Sequence, residues 1–198
     1  MLSRLRSNNN GNSEEMEFIS TPLPGCWEIQ PRVFSDHRGR FVKTYVEDEL
    51  ASRGLATHFP EEYYSVSRKG VLRGMHFQRP PHAHSKLVYC TAGRVLDVVV
   101  DLRAGSPAYS RVHAVILSAE QGNMLYIPEG FAHGFLALED ATMQYKVTSV
   151  HAPSHDDGIL WNSIAFHWPQ SNAVLSERDQ KFPSMHDFSS PFVYERMQ

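Results

Sequence analysis

Three side chains in this sequence could together move a proton to and from a carbon atom: His76, Lys86 and Tyr145. Histidine titrates near neutral pH, so it can remove a proton from a carbon that a neighbouring carbonyl group acidifies. A lysine within the apolar run KLVYC can stabilise the enolate oxygen that results. A tyrosine on the opposite face can return the proton. This set therefore predicts proton transfer with inversion of the carbon.

A metal site is the main alternative use of the histidines around Lys86. His82 and His84 form an H-x-H pattern that would place both rings on one strand face, and His76 and His133 are further potential ligands. A metal site of this kind needs about four nitrogen or oxygen ligands, and the ammonium group of Lys86 would repel a divalent cation. We therefore predict no metal. We predict no cofactor either, because a keto group in the substrate would already acidify the neighbouring carbons.

The composition predicts one soluble domain. With 198 residues the chain can bury a substantial core, and its net charge of −3 with no basic block argues against nucleic acid. No apolar run has membrane-spanning length, and the first residues lack the apolar core of a signal peptide. Two cysteines, Cys26 and Cys90, form no disulfide framework, which favours the cytoplasm. We predict a flexible tail over residues 1–16 and a single domain over residues 17–198.

Short β-rich runs separated by turn residues dominate the chain, which predicts an antiparallel sandwich, jelly roll or barrel. The later runs are KLVYCTA, RVLDVVVDL, RVHAVILSA, NMLYIPEG, GFLALED, ATMQYKVTSV and GILWN. One helix is predicted over residues 46–55, and the Arg-Lys-Gly sequence at residues 68–70 predicts a hairpin. Asp97 and Asp101 alternate with valines and so share a sheet face. Support of a catalytic histidine and a strand-end hydrogen bond are equally compatible with either aspartate.

Glycine and proline punctuate the histidine-rich stretch in a pattern that resembles the two motifs of the cupin superfamily. The matching positions are Gly74, Pro80, His82, Lys86 and Gly93 in the first motif, and Gly122, Pro128, Gly130 and His133 in the second. Glycine supplies the tight turns between strands, and proline fixes the entry into a strand. The pattern predicts an all-β, cupin-type jelly roll (a double-stranded β-helix) with a few short helices, in which Lys86 occupies the slot of the metal-binding glutamate.

The motifs LRGMHFQRPP, DVVVDLRAGSP and IPEGFAHGFLAL, together with Lys86, strongly resemble the nucleotide-sugar epimerases typified by dTDP-4-dehydrorhamnose 3,5-epimerase. The resemblance extends from about Pro24 to about Pro183. It implies a metal-free jelly roll that acts in deoxysugar and cell-surface polysaccharide biosynthesis. The implied reaction is inversion of C3, or of C3 and C5, of a nucleoside-diphosphate 4-keto-6-deoxyhexose through an enolate.

The resemblance also assigns roles to individual residues. It implies that His76 is the general base, that Asp179 pairs with it, that Tyr145 is the general acid and that Lys86 stabilises the enolate. The implied substrate-binding residues are Arg38, Phe41, Arg73, Lys86, His133 and Asp156. The two arginines would hold the diphosphate or the nucleotide. The family further implies a homodimer that exchanges N-terminal strands, which contribute to the neighbour's site.

The chain departs from the family pattern at positions that would choose the substrate. Lys43 stands where a glutamate is usual, Glu61 and Tyr63 stand in the place of a Q-x-N-x-S pattern, and His151 replaces a tyrosine. The nucleotide therefore stays open among dTDP, CDP and GDP, and inversion at C3 alone stays open beside inversion at both carbons. Two other functions also remain: a 3,4-ketoisomerase acting on a similar sugar, and a non-catalytic cupin that binds a small ligand.

Overall fold

Residues 15–195 are described by a computed structural model, and they form an almost entirely β architecture with one short helix, α1 (Glu47–Ala51). The strands are β1 (Glu17–Ser20), β2 (Trp27–Gln30), β3 (Arg32–Asp36), β4 (Gly39–Lys43), β5 (Glu61–Ser67), β6 (Leu72–Gln78), β7 (Lys86–Ala92), β8 (Arg94–Asp101), β9 (Val112–Ser118), β10 (Met124–Ile127), β11 (Phe131–Ala137), β12 (Ala141–Val147) and β13 (Asp156–Gly158). Two 3₁₀ turns follow, Trp161–Ser163 and Asp179–Lys181.

Two antiparallel sheets carry the fold. The six-stranded sheet has the order β1-β2-β10-β7-β12-β5, and the five-stranded sheet has the order β13-β6-β11-β8-β9. Strands β3 and β4 form a separate two-stranded hairpin. The predicted all-β jelly roll is confirmed.

Alternation along the strands directs side chains into three apolar layers, because successive residues of a strand point to opposite faces. The layer between the sheets contains Val88 of β7, Val99 of β8 and Tyr145 of β12. A second layer lies on the outer face of the five-stranded sheet, beneath the C-terminal segment. The third lies on the outer face of the six-stranded sheet, where Leu50 of α1 packs. The inner layer stops short of one end, and polar side chains take its place there.

Two glycines of the predicted cupin pattern allow very close backbone approaches. A Cβ atom on Gly74 would lie 2.5 Å from the Cα atom of Gly134 on the neighbouring strand β11, and Gly74 has a φ of +135°. A Cβ atom on Gly93 would lie 2.1 Å from the carbonyl oxygen of Asp140, and φ there is +65°. Only glycine fits such contacts without displacing backbone.

The predicted hairpin at residues 68–70 is wrong. Strand β5, before this turn, pairs with β12 in the six-stranded sheet, whereas β6, after it, pairs with β11 and β13 in the five-stranded sheet. The turn is thus a crossover between sheets. Its local sequence contains the same turn signal as a hairpin would, so the sequence does not distinguish the two.

Three further local predictions need correction. The helix predicted over residues 46–55 spans only Glu47–Ala51. The run GILWN is not a strand beyond its glycine, because β13 ends at Gly158 and a 3₁₀ turn follows. His82 and His84 lie in the loop between β6 and β7, so no strand face aligns their rings.

The predicted tail over residues 1–16 lies mostly outside the described residues. Met16 is buried, and its backbone amide donates a hydrogen bond to Glu49 at 2.6 Å. The division into a tail and one domain stays a prediction. Within residues 15–195, no helix combines the length and the apolar character needed to cross a membrane.

Candidate active site

A cleft of about 410 Å³ opens at the polar end of the space between the two sheets. Of the residues predicted from the sequence, it is lined by Arg73, His76, Lys86, His133, Tyr145 and Asp156. Side chains from β5, β7 and β12 form one wall, and side chains from β6, β11 and β13 form the other. His76 on β6 and Tyr145 on β12 therefore stand in opposite walls, as a base and an acid for inversion must.

Asp179 does not itself line the cleft, but it contacts the imidazole of His76 and orients it. The Nε2 atom of His76 lies 2.9 Å from Oδ1 of Asp179, and the backbone amide of Gly74 donates to Oδ2 at 3.1 Å. A carboxylate only accepts hydrogen bonds, so Nε2 carries the proton and Nδ1 keeps its lone pair. Nδ1 is thereby left as the basic nitrogen of His76.

The environment keeps Asp179 ionised even though it is buried. Burial alone would raise the pKa of Asp179, but the hydrogen bond and charge of His76, with the amide of Gly74 and the hydroxyl of Ser176, outweigh it. The pKa of Asp179 consequently lies below its usual value. A charged Asp179 can both orient the imidazole and stabilise it once it has taken up a proton.

Lys86 projects into the same cleft from the first position of β7. It is 6% exposed, and its ammonium lies 3.4 Å from the carbonyl oxygen of His76. Burial lowers the pKa of Lys86 to about 8, against the opposing charges of Asp156 and Asp97. A desolvated cation with few partners is well suited to stabilise a negative oxygen that develops on a substrate.

Tyr145 is held at both its ring and its hydroxyl group by strand β5. Its hydroxyl lies 3.1 Å from Oγ of Ser65, and its ring stacks on that of Tyr63 with 4.7 Å between centroids. Burial is the main cause that raises the pKa of Tyr145 above its usual value. The phenol therefore stays protonated at neutral pH and remains able to donate.

His133 forms a second histidine–aspartate pair in the five-stranded sheet. It lies opposite His76 in the pairing of β11 with β6, and its Nε2 lies 2.8 Å from Oδ2 of Asp97. Burial is the largest influence on the pKa of His133 and lowers it, although Asp97 acts in the opposite direction. Asp97, whose role the sequence left open between two alternatives, thus supports a histidine of the cleft, but that histidine is His133.

Two arginines give the cleft positive charge near its opening. Arg73 donates to Oγ of Ser67 at 2.9 Å and to the carbonyl oxygen of Val66 at 3.1 Å. Arg178 forms an ion pair with Asp156 on β13, and its Nε lies 3.6 Å from Oδ1 of Asp179. Guanidinium groups suit phosphate, which they can grip in bidentate fashion.

Arg178 and His84 line the cleft, although the sequence analysis gave neither of them a role. The position of Arg178 directly before Asp179 was the available signal. Gln78 donates from Nε2 to Nδ1 of His84 at 3.0 Å, and burial with the charge of Lys86 lowers the pKa of His84 to about 3. His84 is accordingly a neutral ring in the cleft wall.

Two of the predicted substrate-binding residues lie outside this cleft. Arg38 and Phe41 belong to the β3–β4 hairpin, where Arg38 pairs with Asp36 at 2.6 Å and Phe41 is 62% exposed. The ring of Phe41 packs only loosely on Phe34, with 6.1 Å between centroids. Within one chain, therefore, the structure does not bring these two residues to the other candidate site residues.

The donor set of the cleft can be compared with the needs of a metal ion. Across residues 15–195, no three side chains of His, Cys, Asp or Glu converge in a way that could hold one ion. His76 and His133 each use Nε2 for an aspartate, and the ammonium of Lys86 reaches across the cleft to within 3.4 Å of the carbonyl oxygen of His76. The metal-free site stays a prediction.

Comparisons with known proteins identify the family. A family model described as dTDP-4-dehydrorhamnose 3,5-epimerase matches residues 20–187. A relative of that name from Shigella flexneri is 42% identical over 174 residues, which cover 84% of this chain and 96% of the relative. Most of the chain is therefore matched, and so is almost all of the relative.

Solved structures agree with the sequence comparisons. A 3,5-epimerase from Legionella pneumophila Philadelphia 1, in complex with dTDP-4-keto-L-rhamnose, matches with a TM-score of 0.87 at 33% identity, covering 91% of this chain and all of that one. ChmJ, a 3'-monoepimerase from Streptomyces bikiniensis in complex with dTDP-quinovose, matches with a TM-score of 0.79 at 32% identity, covering 84% and 86%. On these grounds the chain belongs to the dTDP-4-dehydrorhamnose 3,5-epimerase family, whose members are isomerases.

Proposed function

We propose that this protein is an epimerase that inverts C3, or C3 and C5, of a nucleoside-diphosphate 4-keto-6-deoxyhexose. The observation that carries the proposal is the placement of His76 and Tyr145 in opposite walls of one cleft, with Lys86 between the sheets beside them. A proton taken from one face of the sugar and returned to the other inverts the carbon. Membership of the epimerase family supports the same reaction.

The proposed reaction proceeds in two proton transfers. Nδ1 of His76 removes the proton from a carbon next to the C4 keto group, and the electrons of that C–H bond form the enolate. Lys86 stabilises the enolate oxygen, and Asp179 stabilises the imidazolium. The hydroxyl of Tyr145 then protonates the carbon from the other face, after which solvent restores both groups. General acid–base steps of this kind contribute about 10²- to 10⁴-fold each.

The nucleotide we propose first is dTDP, because the two related structures described above contain dTDP-sugars. Arg73 and Arg178 supply the positive charge that a diphosphate needs. The changes at Glu61 and His151, which both line the cleft, make CDP and GDP sugars the comparisons that any assay should include.

We further propose that the protein acts as a cytoplasmic homodimer that exchanges N-terminal strands, and that the β3–β4 hairpin is the part that completes the partner's cleft. The support is that Arg38 and Phe41 are exposed on a hairpin outside both large sheets, although the family resemblance gives them substrate-binding roles. A second copy of the chain would supply the binding groups that the cleft of one chain lacks.

Deuterium exchange tests the function directly. The protein is incubated in deuterated water with 4-keto-6-deoxyglucose linked to dTDP, CDP or GDP, and NMR follows C3 and C5. We expect deuterium to enter with inversion at C3, or at both carbons, for one preferred nucleotide. Migration of the keto group from C4 to C3 would instead identify a ketoisomerase. The absence of any exchange with all three sugars would contradict an epimerase.

The base is tested in the same assay with His76→Asn. Loss of the general base should lower turnover about 10²- to 10⁴-fold while the variant still binds the nucleotide sugar. His82→Asn is the matched control, because His82 lies in the neighbouring loop and does not line the cleft. Full exchange in His76→Asn would show that another group is the base.

A further inference from the structure

We propose that Tyr63 is a positioning residue that holds Tyr145 in line for protonation, so that Tyr63 decides whether deprotonated sugar is inverted. The inference rests on the proposed epimerase function and goes beyond it. It concerns which group protonates the enolate: Tyr145, which inverts the carbon, or His76, which restores the original configuration. Tyr63 departs from the Q-x-N-x-S pattern that the family resemblance predicts at this position.

The contact between the two tyrosines is built into the sheet. Tyr63 and Tyr145 are direct partners in the pairing of β5 with β12, so their side chains leave the same face side by side. Their rings stack at 4.7 Å between centroids with an interplanar angle of 18°. Two residues along β5, Ser65 meets the hydroxyl of Tyr145 at 3.1 Å. Strand β5, at the edge of the sheet, thus contacts both the ring and the hydroxyl group of Tyr145.

On β7 the pairing partner of Tyr145 is the buried Val88, which has no ring, so within residues 15–195 Tyr63 is the one face-to-face aromatic neighbour of Tyr145. His133 approaches it edge-on, with 6.3 Å between centroids and an angle of 66°. A tyrosine side chain has only two rotatable bonds before its hydroxyl, so one face-to-face neighbour removes most of its freedom. Without the ring of Tyr63, the part of Tyr145 that lines the cleft would lose its stacked support, and its hydroxyl could shift toward the cleft.

Tyr63 itself is suited to a supporting role. It lines the cleft but is 40% exposed, whereas Tyr145 is 7% exposed in the inner layer. Burial of its hydroxyl, with the charges of Glu61 and Asp156, raises the pKa of Tyr63 to about 12. It therefore adds no charge beside the acid at neutral pH.

Misplacement of Tyr145 would change the products in a way that deuterium labelling detects. His76 can still remove the proton, because His76 belongs to the five-stranded sheet and its partner Asp179 to a 3₁₀ turn, and neither involves β5. If the acid is out of line, the imidazolium returns a solvent-exchanged proton to the face it came from. The sugar then gains deuterium without inversion, so exchange continues while inversion falls.

The experiment compares Tyr63→Leu and Tyr63→Phe with the wild type in deuterated water, on the nucleotide sugar that the wild type turns over. For Tyr63→Leu we expect inversion to fall about tenfold, the scale of one lost aromatic stacking contact, while total deuterium uptake into inverted and uninverted sugar together changes less than about threefold. Tyr63→Phe keeps the stacked ring and should invert at a rate close to that of the wild type. Thermal unfolding of each variant establishes that it is folded.

Tyr64→Leu is the matched control, since Tyr64 is the next residue of β5, is 65% exposed and does not line the cleft. It should leave exchange and inversion unchanged. An unaltered ratio of exchange to inversion in Tyr63→Leu, or an equal loss of both, would overturn the positioning role. Loss of inversion in Tyr63→Phe would overturn it too, because Tyr63 would then be a proton donor. A wild type that exchanges no sugar carbon would overturn the proposed function itself.

Discussion

Lys86 is subject to two opposing requirements: burial favours its neutral form, whereas its proposed role needs the charged form. Its ammonium must be charged to stabilise an enolate, yet the side chain is buried and its hydrogen-bond contact is a carbonyl oxygen at 3.4 Å. Burial lowers the pKa of Lys86 to about 8, with Asp156 and Asp97 opposing. The lysine is thus charged at neutral pH while it remains poorly solvated, which makes it a strong hydrogen-bond donor.

The basic limb of the pH profile should report Lys86. Since the charged form is the active one, kcat/KM should fall about tenfold per pH unit above about pH 8. Lys86→Arg should remove this limb, because guanidinium stays charged, and Lys86→Met should be inactive at every pH. A limb that stays near pH 8 in Lys86→Arg would assign it to another group.

The same lowered pKa has a consequence for stability. Between about pH 8 and the ordinary lysine value of 10.5, the unfolded chain binds a proton that the folded chain has lost. The contribution of Lys86 to the free energy of unfolding therefore rises with pH across that window. Lys86→Met should flatten this rise in urea unfolding measured at pH 7.5 and pH 10.

Asp179 gives a second prediction at the scale of single residues. Asp179→Asn keeps the size of the side chain but can present an amide N–H to Nε2 of His76, which favours the wrong tautomer. We expect kcat to fall about a hundredfold or more with a nearly unchanged KM. Asp157→Asn is the control, because Asp157 contacts Arg79 and does not line the cleft. A kcat within twofold of the wild type would contradict the positioning role of Asp179.

At the scale of the elements, local sequence patterns predicted strands well and their partners poorly. Runs such as KLVYCTA identify β7 from their own β-rich residues between turns, although its first five side chains are buried on both faces and show no alternation. The crossover at residues 68–70 was missed, because its turn chemistry does not reveal which sheet the next strand joins. Sheet membership depends on the burial of faces that lie far apart in the sequence.

In the candidate site, too, the sequence predicted individual residues but not the contacts between residues far apart in the chain. His76, Lys86 and Tyr145 could be selected from their chemistry and the family motifs, and the structure brings all three to one cleft. The pairing of His133 with Asp97 spans 36 residues, and no local pattern specifies it. His84 likewise lines the cleft from the loop between β6 and β7, where no strand pattern predicts its position.

Gly93 lies between β7 of the six-stranded sheet and β8 of the five-stranded sheet. Its substitution measures how much the close backbone contact at this connection matters for stability. Gly93→Ala must adopt a positive φ and also place a methyl group 2.1 Å from the carbonyl oxygen of Asp140. We expect a loss of about 3 kcal/mol in the free energy of unfolding. Gly105→Ala, with a φ of +83° and open space around it, should lose only about 1–2 kcal/mol. Equal losses in the two variants would mean that the contact with Asp140 relaxes freely.

At the scale of the whole molecule, the β3–β4 hairpin stands apart from the two large sheets of its own chain. It pairs with neither large sheet, and its ring pair of Phe34 and Phe41 is largely exposed. Arg40 anchors it through contacts to the carbonyl oxygens of Ala119 and Glu120. Arg32, at the start of β3, also pairs with Glu49 of α1. A hairpin that is held by these two arginines and exposes aromatic rings fits the proposed contact with a second copy of the chain.

Hybrid dimers can show whether the hairpin acts on the partner's cleft. One chain carries Arg38→Ala with Phe41→Ala, the other carries His76→Asn, and each homodimer should be nearly inactive. In a hybrid, the cleft with an intact His76 receives the intact hairpin of the other chain, so one of its two sites works. Hybrids isolated with two different affinity tags should therefore recover about half of the wild-type activity per dimer. If the hairpin served its own chain's cleft, both sites of the hybrid would be defective and no activity would return.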